Sequence, residues 1–167
     1  PEPTLTPGAQ QLSVYLKMWA GSKLPGLAAA AVPGITEVRL AFLQGSPPRL
    51  VGYGSQDAAG VARDSAALRD RGVAVTGSVG GAGGSVDTRS RETFLGGLAA
   101  VHATVGLDRW DVDIEASTLN GEDVLAIAQA AHDRWGILTT MAPNGGNVGQ
   151  YLPVGVELAK RGLLAAW

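Results

Sequence analysis

The chain of 167 residues sets 13 Lys and Arg against 15 Asp and Glu, a net charge of −2, with no basic block, which argues against nucleic acid as a partner. It is 46% hydrophobic and 17% charged, the composition of a folded domain able to bury one sizeable core, and no apolar run approaches the roughly 20 residues of a membrane span. Cysteine is absent, which excludes a disulfide scaffold, a thiolate metal site and a cysteine nucleophile.

Pro1 to Ala9 contains three prolines and reads as an extended lead-in, so residues 1–12 are expected to form an arm and 13–167 one domain. A first strand is expected at Ser13–Gly21, then a short helix at Leu24–Ala31 and a second strand at Glu37–Gln44. The Ala-rich stretch Ala58–Arg71 predicts a helix that Gly72 closes, leading into a strand at Val73–Gly80. Asp87-Thr88-Arg89-Ser90 offers capping side chains for a helix over Ser90–Val105, which Gly106 can end. A strand over Arg109–Ala116 follows. Asn120 can cap a helix over Gly121–Trp135, with Glu122 and Asp123 in its positive first turn. Gly136 ends that helix, and a strand at Ile137–Ala142 and a helix at Val148–Arg161 complete the pattern.

Strand and helix alternate without a hairpin signal, which predicts βα units and a parallel sheet. Two architectures fit, an open doubly wound sheet and a (β/α)8 barrel. Both place functional residues at the C-terminal ends of strands. Ser78-Val79-Gly80-Gly81, Asp113 with Glu115, and Met141-Ala142-Pro143-Asn144 all stand at such ends. Gly80, Gly81, Gly83 and Gly84 form neither a dinucleotide fingerprint nor a P-loop, since no Gly-Lys-Ser/Thr follows.

The stretch Asp108-Arg109-Trp110-Asp111-Val112-Asp113-Ile114-Glu115 holds four carboxylates in eight residues. In a strand, period two puts Asp111, Asp113 and Glu115 on one face and Trp110, Val112 and Ile114 on the other. The apolar second face argues for a central strand under helices rather than a solvated edge. Like charges on one face repel, and burial disfavours their ionised form, so such a row points to proton chemistry or metal binding. From first to last the three acids span about 13 Å, long for a single ion, so acid–base chemistry is the better fit and no metal or cofactor is expected. A Glu at the strand's end with Asp residues behind it has the arrangement of a general acid tuned by like-charge coupling.

Asp108-x-x-Asp111-x-Asp113-x-Glu115 resembles the Asp-Gly-x-Asp-x-Asp-x-Glu signature of family 18 glycoside hydrolases, the chitinases and endo-β-N-acetylglucosaminidases. Ser78-Val79-Gly80-Gly81 is similar to that family's Ser-x-Gly-Gly motif on the third strand, and Thr140-Met141-Ala142-Pro143 to its fifth strand. Order and spacing match from Ser13 onward. The resemblance implies a (β/α)8 barrel of the TIM type, incomplete in this chain, which supplies about five of the eight units. It implies Glu115 as general acid, Asp113 as the group that orients the substrate's 2-acetamido group and shares a proton with Glu115, and Asp111 as the residue that tunes Asp113. The acetamido oxygen would be the nucleophile, with net retention.

The partner implied is an N-acetylglucosamine-containing polysaccharide. Candidate substrate-binding residues are Ser78, Gly80, Gly81, Met141 and Asn144, with Trp19 either stacking on a sugar or packing in the core. Ser78 reads as a structural hydroxyl beneath the carboxylates, His102 and His132 as packing or surface residues, and Gln150 as a weaker candidate for contact with sugar hydroxyls.

Two departures accompany the resemblance. Arg109 stands where the family has Gly. The sixth-strand Tyr and eighth-strand Trp of the family have no counterpart, and Trp167 falls where the sixth strand is expected to begin. An enzyme cleaving β-1,4 bonds of chitin-like glycans is therefore one reading. A non-catalytic sugar-binding or structural module of a larger assembly, such as a phage tail, is the other. The substrate favours an extracellular or virion-associated setting, although no basic-then-apolar secretion signal opens the chain. Further residues or a partner chain are expected to complete the barrel.

Overall fold

The computed structural model describes residues 12–17, 34–50, 58–82, 86–115, 119–143 and 146–166. The expected arm up to residue 11, the helix Leu24–Ala31, the end of the first strand with Trp19, Gly83 and Gly84, Asn144 and Trp167 lie outside them. The strands are β1 (Leu12–Lys17), β2 (Ile35–Gln44), β3 (Arg49–Leu50), β4 (Ala74–Gly80), β5 (Arg109–Asp113), β6 (Leu138–Met141) and β7 (Leu164–Ala166). The helices are α1 (Ala58–Arg69), α2 (Arg91–Val105), α3 (Gly121–Trp135) and α4 (Val148–Lys160).

The sheet runs β1-β2-β4-β5-β6-β7, and every pair along that path is parallel. Spatial order follows chain order with no reversal. A doubly wound sheet requires a reversal to send helices to both faces, so the sequential order assigns the chain to the barrel type. Helices α1 to α4 pack on one another in succession along the outside. The result is a half-barrel, a parallel sheet with its helices on the outer face.

A side-chain contact demonstrates the curvature. Strands β1 and β5 are separated by three strand spacings, which on a flat sheet is about 14 Å. Yet the Tyr15 hydroxyl lies 3.0 Å from Asp111 Oδ2. The sheet must curl for β1 and β5 to meet across its concave side.

Period two separates the two faces of each strand. Trp110 and Val112 turn to the helices, where Phe94 of α2 meets the Trp110 ring edge-on at 5.4 Å. Ile127, Tyr151 and Leu158 extend that core along α3 and α4. The concave face is polar: Glu37, Arg39, Thr76, Ser78, Asp111, Asp113 and Thr140 are all buried there.

The helix stops agree with the sequence. Gly106 and Gly136 end α2 and α3 in the left-handed conformation, and Asn120 caps α3 by accepting from Asp123 N at 3.3 Å. Ser90 stands at the α2 N-cap but makes no capping bond. Instead, Asp87 Oδ1 accepts from Arg89 N at 3.0 Å, a turn ahead of the helix.

Two strands were not expected. Contrary to the expected absence of a hairpin, β3 returns antiparallel on β2, pairing Leu43 with Leu50 and Gln44 with Arg49. The turn residues Gly45, Ser46, Pro47 and Pro48 carry that signal, but a two-residue strand has no periodicity to read. The sixth parallel strand, β7, begins at Leu164, ahead of Trp167.

Strand β5 stops at Asp113 rather than Ala116. Beyond it, the backbone of Ile114 is taken by a side chain. Ile114 N donates to the Tyr151 hydroxyl at 2.7 Å, which donates in turn to Ile114 O at 3.1 Å.

Helix α4 leaves Val148, Leu152 and Val156 exposed at four-residue spacing. Among the described residues, no helix is long and apolar enough to cross a membrane.

Candidate active site

Asp111 is the centre of the concave face. Its residue is fully buried, and all its partners are side chains on other strands. Oδ1 accepts from Arg39 Nη1 at 3.0 Å and from Thr140 Oγ1 at 2.7 Å. Oδ2 accepts from Ser78 Oγ at 2.9 Å and from the Tyr15 hydroxyl at 3.0 Å. Strand register explains two of these: Ser78 and Thr140 are the direct neighbours of Asp111 on β4 and β6.

Arg39 comes from farther away. Strand β2 is two spacings from β5, about 10 Å, and the side chains between them on β4, Thr76 and Ser78, are short enough for the guanidinium to cross. Arg39 Nε also donates to Glu37 Oε2 at 3.1 Å, Nη1 donates to the Tyr15 hydroxyl at 3.0 Å, and the guanidinium sits 5.3 Å from the Tyr15 ring centroid. Glu37 is held below by Ser13 and Thr76 hydroxyls and approached by Arg109 Nη1 at 3.6 Å.

Burial alone would raise the Glu37 carboxyl, but the Ser13 and Thr76 donors and the Arg39 charge together hold it below the usual range. Arg39 is opposed by its own burial, yet the Asp111 and Glu37 charges keep its proton bound more tightly than usual. Burial and the Asp111 charge push the Tyr15 phenol up.

Asp113 differs in kind. It is buried, and among the described residues no side chain donates to its carboxyl group. Burial, then the charges of Asp111 and Glu115, push its pKa up to about 7. Glu115 is exposed, two residues past the strand. The row therefore grades from a fully bonded buried carboxylate, through a buried carboxyl that is neutral below neutrality, to an exposed carboxyl at the rim.

The two glycines of Ser78-Val79-Gly80-Gly81 answer to this row. Gly81 N donates to Asp113 O at 2.7 Å. A Cβ on Gly80, whose φ is +117°, would lie 2.2 Å from that carbonyl oxygen, and one on Gly81 would lie 2.5 Å from the Phe42 ring. Any side chain at Gly80 would push β4 away from Asp113.

Behind the row, Asn147 Nδ2 donates to Ile114 O at 3.2 Å, joining Tyr151 in fixing the backbone between Asp113 and Glu115. An open cleft of about 630 Å³ lies between Val86–Arg89 after β4 and Leu119–Glu122 at the start of α3.

The structure thus brings Asp111, Asp113, Ser78, Gly80 and Gly81 together, with Glu115 at the rim. It does not bring Met141 there. Period two places Thr140 beside Asp111 and sends Met141, in register with Val112, into the apolar core. The expectation that Met141 meets substrate is corrected to a packing role. Gln150 is also engaged elsewhere, its Oε1 accepting from Leu119 N at 3.2 Å. His102 Nδ1 lies 3.0 Å from Leu107 O, and His132 lies beside Asp133. Trp19 and Asn144 lie outside the described residues. Among the described residues, no group of three or more His, Asp or Glu side chains is placed to hold a metal ion.

Tyr15, Glu37, Arg39 and Thr76 are not among the candidates that the sequence offers, and Thr140 enters there only as the first residue of the Thr140-Met141-Ala142-Pro143 motif. For four of them the signal was present: Tyr15, Glu37, Arg39 and Thr76 are polar residues at alternate positions of largely apolar strands, the same pattern that singled out the acidic row, whereas Thr140 stands next to Thr139 and shows no such alternation.

Asp113 makes a testable contribution to stability. Its folded pKa of about 7 stands above the unfolded value of about 3.9. Between those limits the folded chain keeps a proton that the unfolded chain releases, so stability falls as pH rises through the window, by at most about 1.4 kcal/mol per pH unit. Asp113→Asn, neutral at every pH, lacks that loss. Urea unfolding at pH 5 and pH 8 should show the variant gaining on the parent chain at pH 8; a constant difference at both would contradict the assignment.

No protein-family model matches the chain, and no curated protein matches it. Solved structures do. A Streptomyces coelicolor protein assigned as chitinase A superposes with a TM-score of 0.74 at 23% identity, covering 91% of this chain and 57% of its own. The catalytic domain of a family 18 chitinase from the fern Peteris ryukyuensis gives 0.71 at 18% identity, covering 94% and 67%. A xylanase–alpha-amylase inhibitor protein, solved with trehalose, gives 0.59 at 16% identity, covering 93% and 76%. The chain shares the fold of family 18 chitinases and spans 57% of the length of the Streptomyces neighbour.

Proposed function

We propose that the acidic row is the acid–base centre of a retaining glycosidase acting on β-1,4-linked, N-acetylglucosamine-containing glycans. The observation that carries this reading is the gradation from β5 outward: a buried Asp113 whose pKa is about 7 at the strand's last position and an exposed Glu115 two residues beyond it. Glu115 protonates the glycosidic oxygen. Asp113, protonated near neutrality, orients the acetamido group and exchanges its proton with Glu115. Asp111 stays below as the fixed charge that tunes Asp113. The acetamido oxygen attacks the anomeric carbon, so no second carboxylate at nucleophile distance is required.

The test is incubation of the full-length protein with chito-oligosaccharides, with anomeric protons followed by NMR. Initial release of the β-anomer is expected. Inverted product, or equal hydrolysis of fully deacetylated oligosaccharides, would exclude the acetamido mechanism.

A second reading, a glycan-binding module without turnover, is favoured by the inhibitor protein among the fold neighbours. Tight chito-oligosaccharide binding with no product would select it.

A further inference from the structure

We propose that Arg39 is a positioning residue that confines the proton of the acidic row to Asp113 by closing Asp111 to it. An ionised carboxylate offers about four lone-pair sites. At Asp111 all four are occupied, by Arg39, Thr140, Ser78 and Tyr15. For Asp111 to carry a proton, one donor must give way. The Thr140, Ser78 and Tyr15 hydroxyls can rotate and accept instead. The guanidinium cannot, because it has donors and no acceptor.

Arg39 is also held from behind. Glu37 fixes its Nε, and the Tyr15 ring lies against it. Glu37 is itself satisfied by Ser13, Thr76 and Arg109. The charged and titratable groups around the pair are therefore Tyr15 on β1, Glu37 and Arg39 on β2, Arg109 and Asp113 on β5 with Glu115 just past it, and Tyr151 on α4, whose hydroxyl is committed to Ile114. Strands β4 and β6 contribute only hydroxyls. Of all these, Arg39 alone brings a positive charge into contact with Asp111.

The consequence is a division of labour between two aspartates two residues apart. Asp111 is a fixed acceptor. Asp113, without a hydrogen-bonding partner among the described residues, holds the proton next to Glu115. The catalytic meaning of that division rests on the glycosidase reading above; the location of the proton does not.

The experiment is 13C NMR of Asp carboxyl carbons against pH, on the 167-residue chain and on Arg39→Met and Arg39→Lys. In the parent chain the step near neutrality is expected on the Asp113 carbon, with only a small through-space response at Asp111. Arg39→Met should transfer part of the step to the Asp111 carbon. Arg39→Lys keeps a cation and should leave the Asp111 carbon flat. Two carbons stepping together in the parent chain would overturn the proposal, and that measurement stands even if Arg39→Met does not fold. A flat Asp111 carbon in folded Arg39→Met, or an equally shared step in Arg39→Lys, would overturn it too. No turnover enters the readout, so a chain that hydrolyses nothing would refute the glycosidase reading and leave this one intact.

Discussion

Glu115→Gln in the full-length protein is expected to lower kcat for chito-oligosaccharide hydrolysis by about 10²–10⁴-fold, the range for loss of a positioned general acid. Gln preserves the shape and the hydrogen-bonding reach of Glu but has no proton to give a departing alkoxide. The effect should depend on the leaving group. An aryl glycoside whose phenolate departs without protonation should lose far less than the natural glycan, which separates lost acid catalysis from a distorted site. Stability should be nearly unchanged, within about 0.5 kcal/mol, because Glu115 is exposed and lies beyond the last residue of β5. Undiminished hydrolysis of the natural glycan by Glu115→Gln would remove Glu115 from the role of acid.

Much of the site was written in strand alternation. Asp111, Asp113 and Glu115 declare a common face because Trp110, Val112 and Ile114 declare the other, and helix caps at Asn120, Gly106 and Gly136 mark where each unit turns. The same alternation carries Glu37 and Arg39 through β2, but a strand's own sequence does not say which residue two strands away will meet it. Arg39 reaches Asp111 across 72 positions of chain, and Tyr15 reaches it across 96. Only the curl of the sheet brings them together.

Tyr151 is harder still. It sits in an amphipathic helix where an aromatic residue reads as core, and it is core; its hydroxyl nevertheless ends β5 from 37 residues away. Met141 shows the opposite failure. The resemblance located its strand end, but motif position does not specify side-chain direction, and period two sends it to the helices. The short strands β3 and β7 carry too few residues for any period to register.

Asp111→Ala is expected to destabilise the chain by about 3–5 kcal/mol, the cost of leaving one partner of a buried ion pair without the other. The size follows from what is orphaned. The Asp111 side chain is fully buried and that of Arg39 is 9% exposed, so water cannot replace the lost carboxylate freely. Thr140 and Ser78, both fully buried, lose their acceptor as well. One opposing effect exists: without the Asp111 charge, Asp113 ionises more easily, which relieves part of its burden near neutral pH. Burial weighs more on Asp113 than the Asp111 charge does and remains after the substitution, so the relief is partial and does not offset an unpaired guanidinium.

Asp111→Asn should cost less. Its amide oxygen can still accept from Arg39 and Thr140, while the Tyr15 and Ser78 hydroxyls rotate to accept from its NH₂. The decisive measurement is a double-mutant cycle with Arg39→Met by urea unfolding. Once Arg39 is gone, no buried cation remains for Asp111→Ala to strand, and Glu37 keeps Ser13, Thr76 and Arg109. The second substitution should therefore cost much less in the Arg39→Met background than in the parent chain. Additive costs would mean that Asp111 and Arg39 do not depend on each other, and the buried pair at the centre of the half-barrel would have to be explained by packing alone.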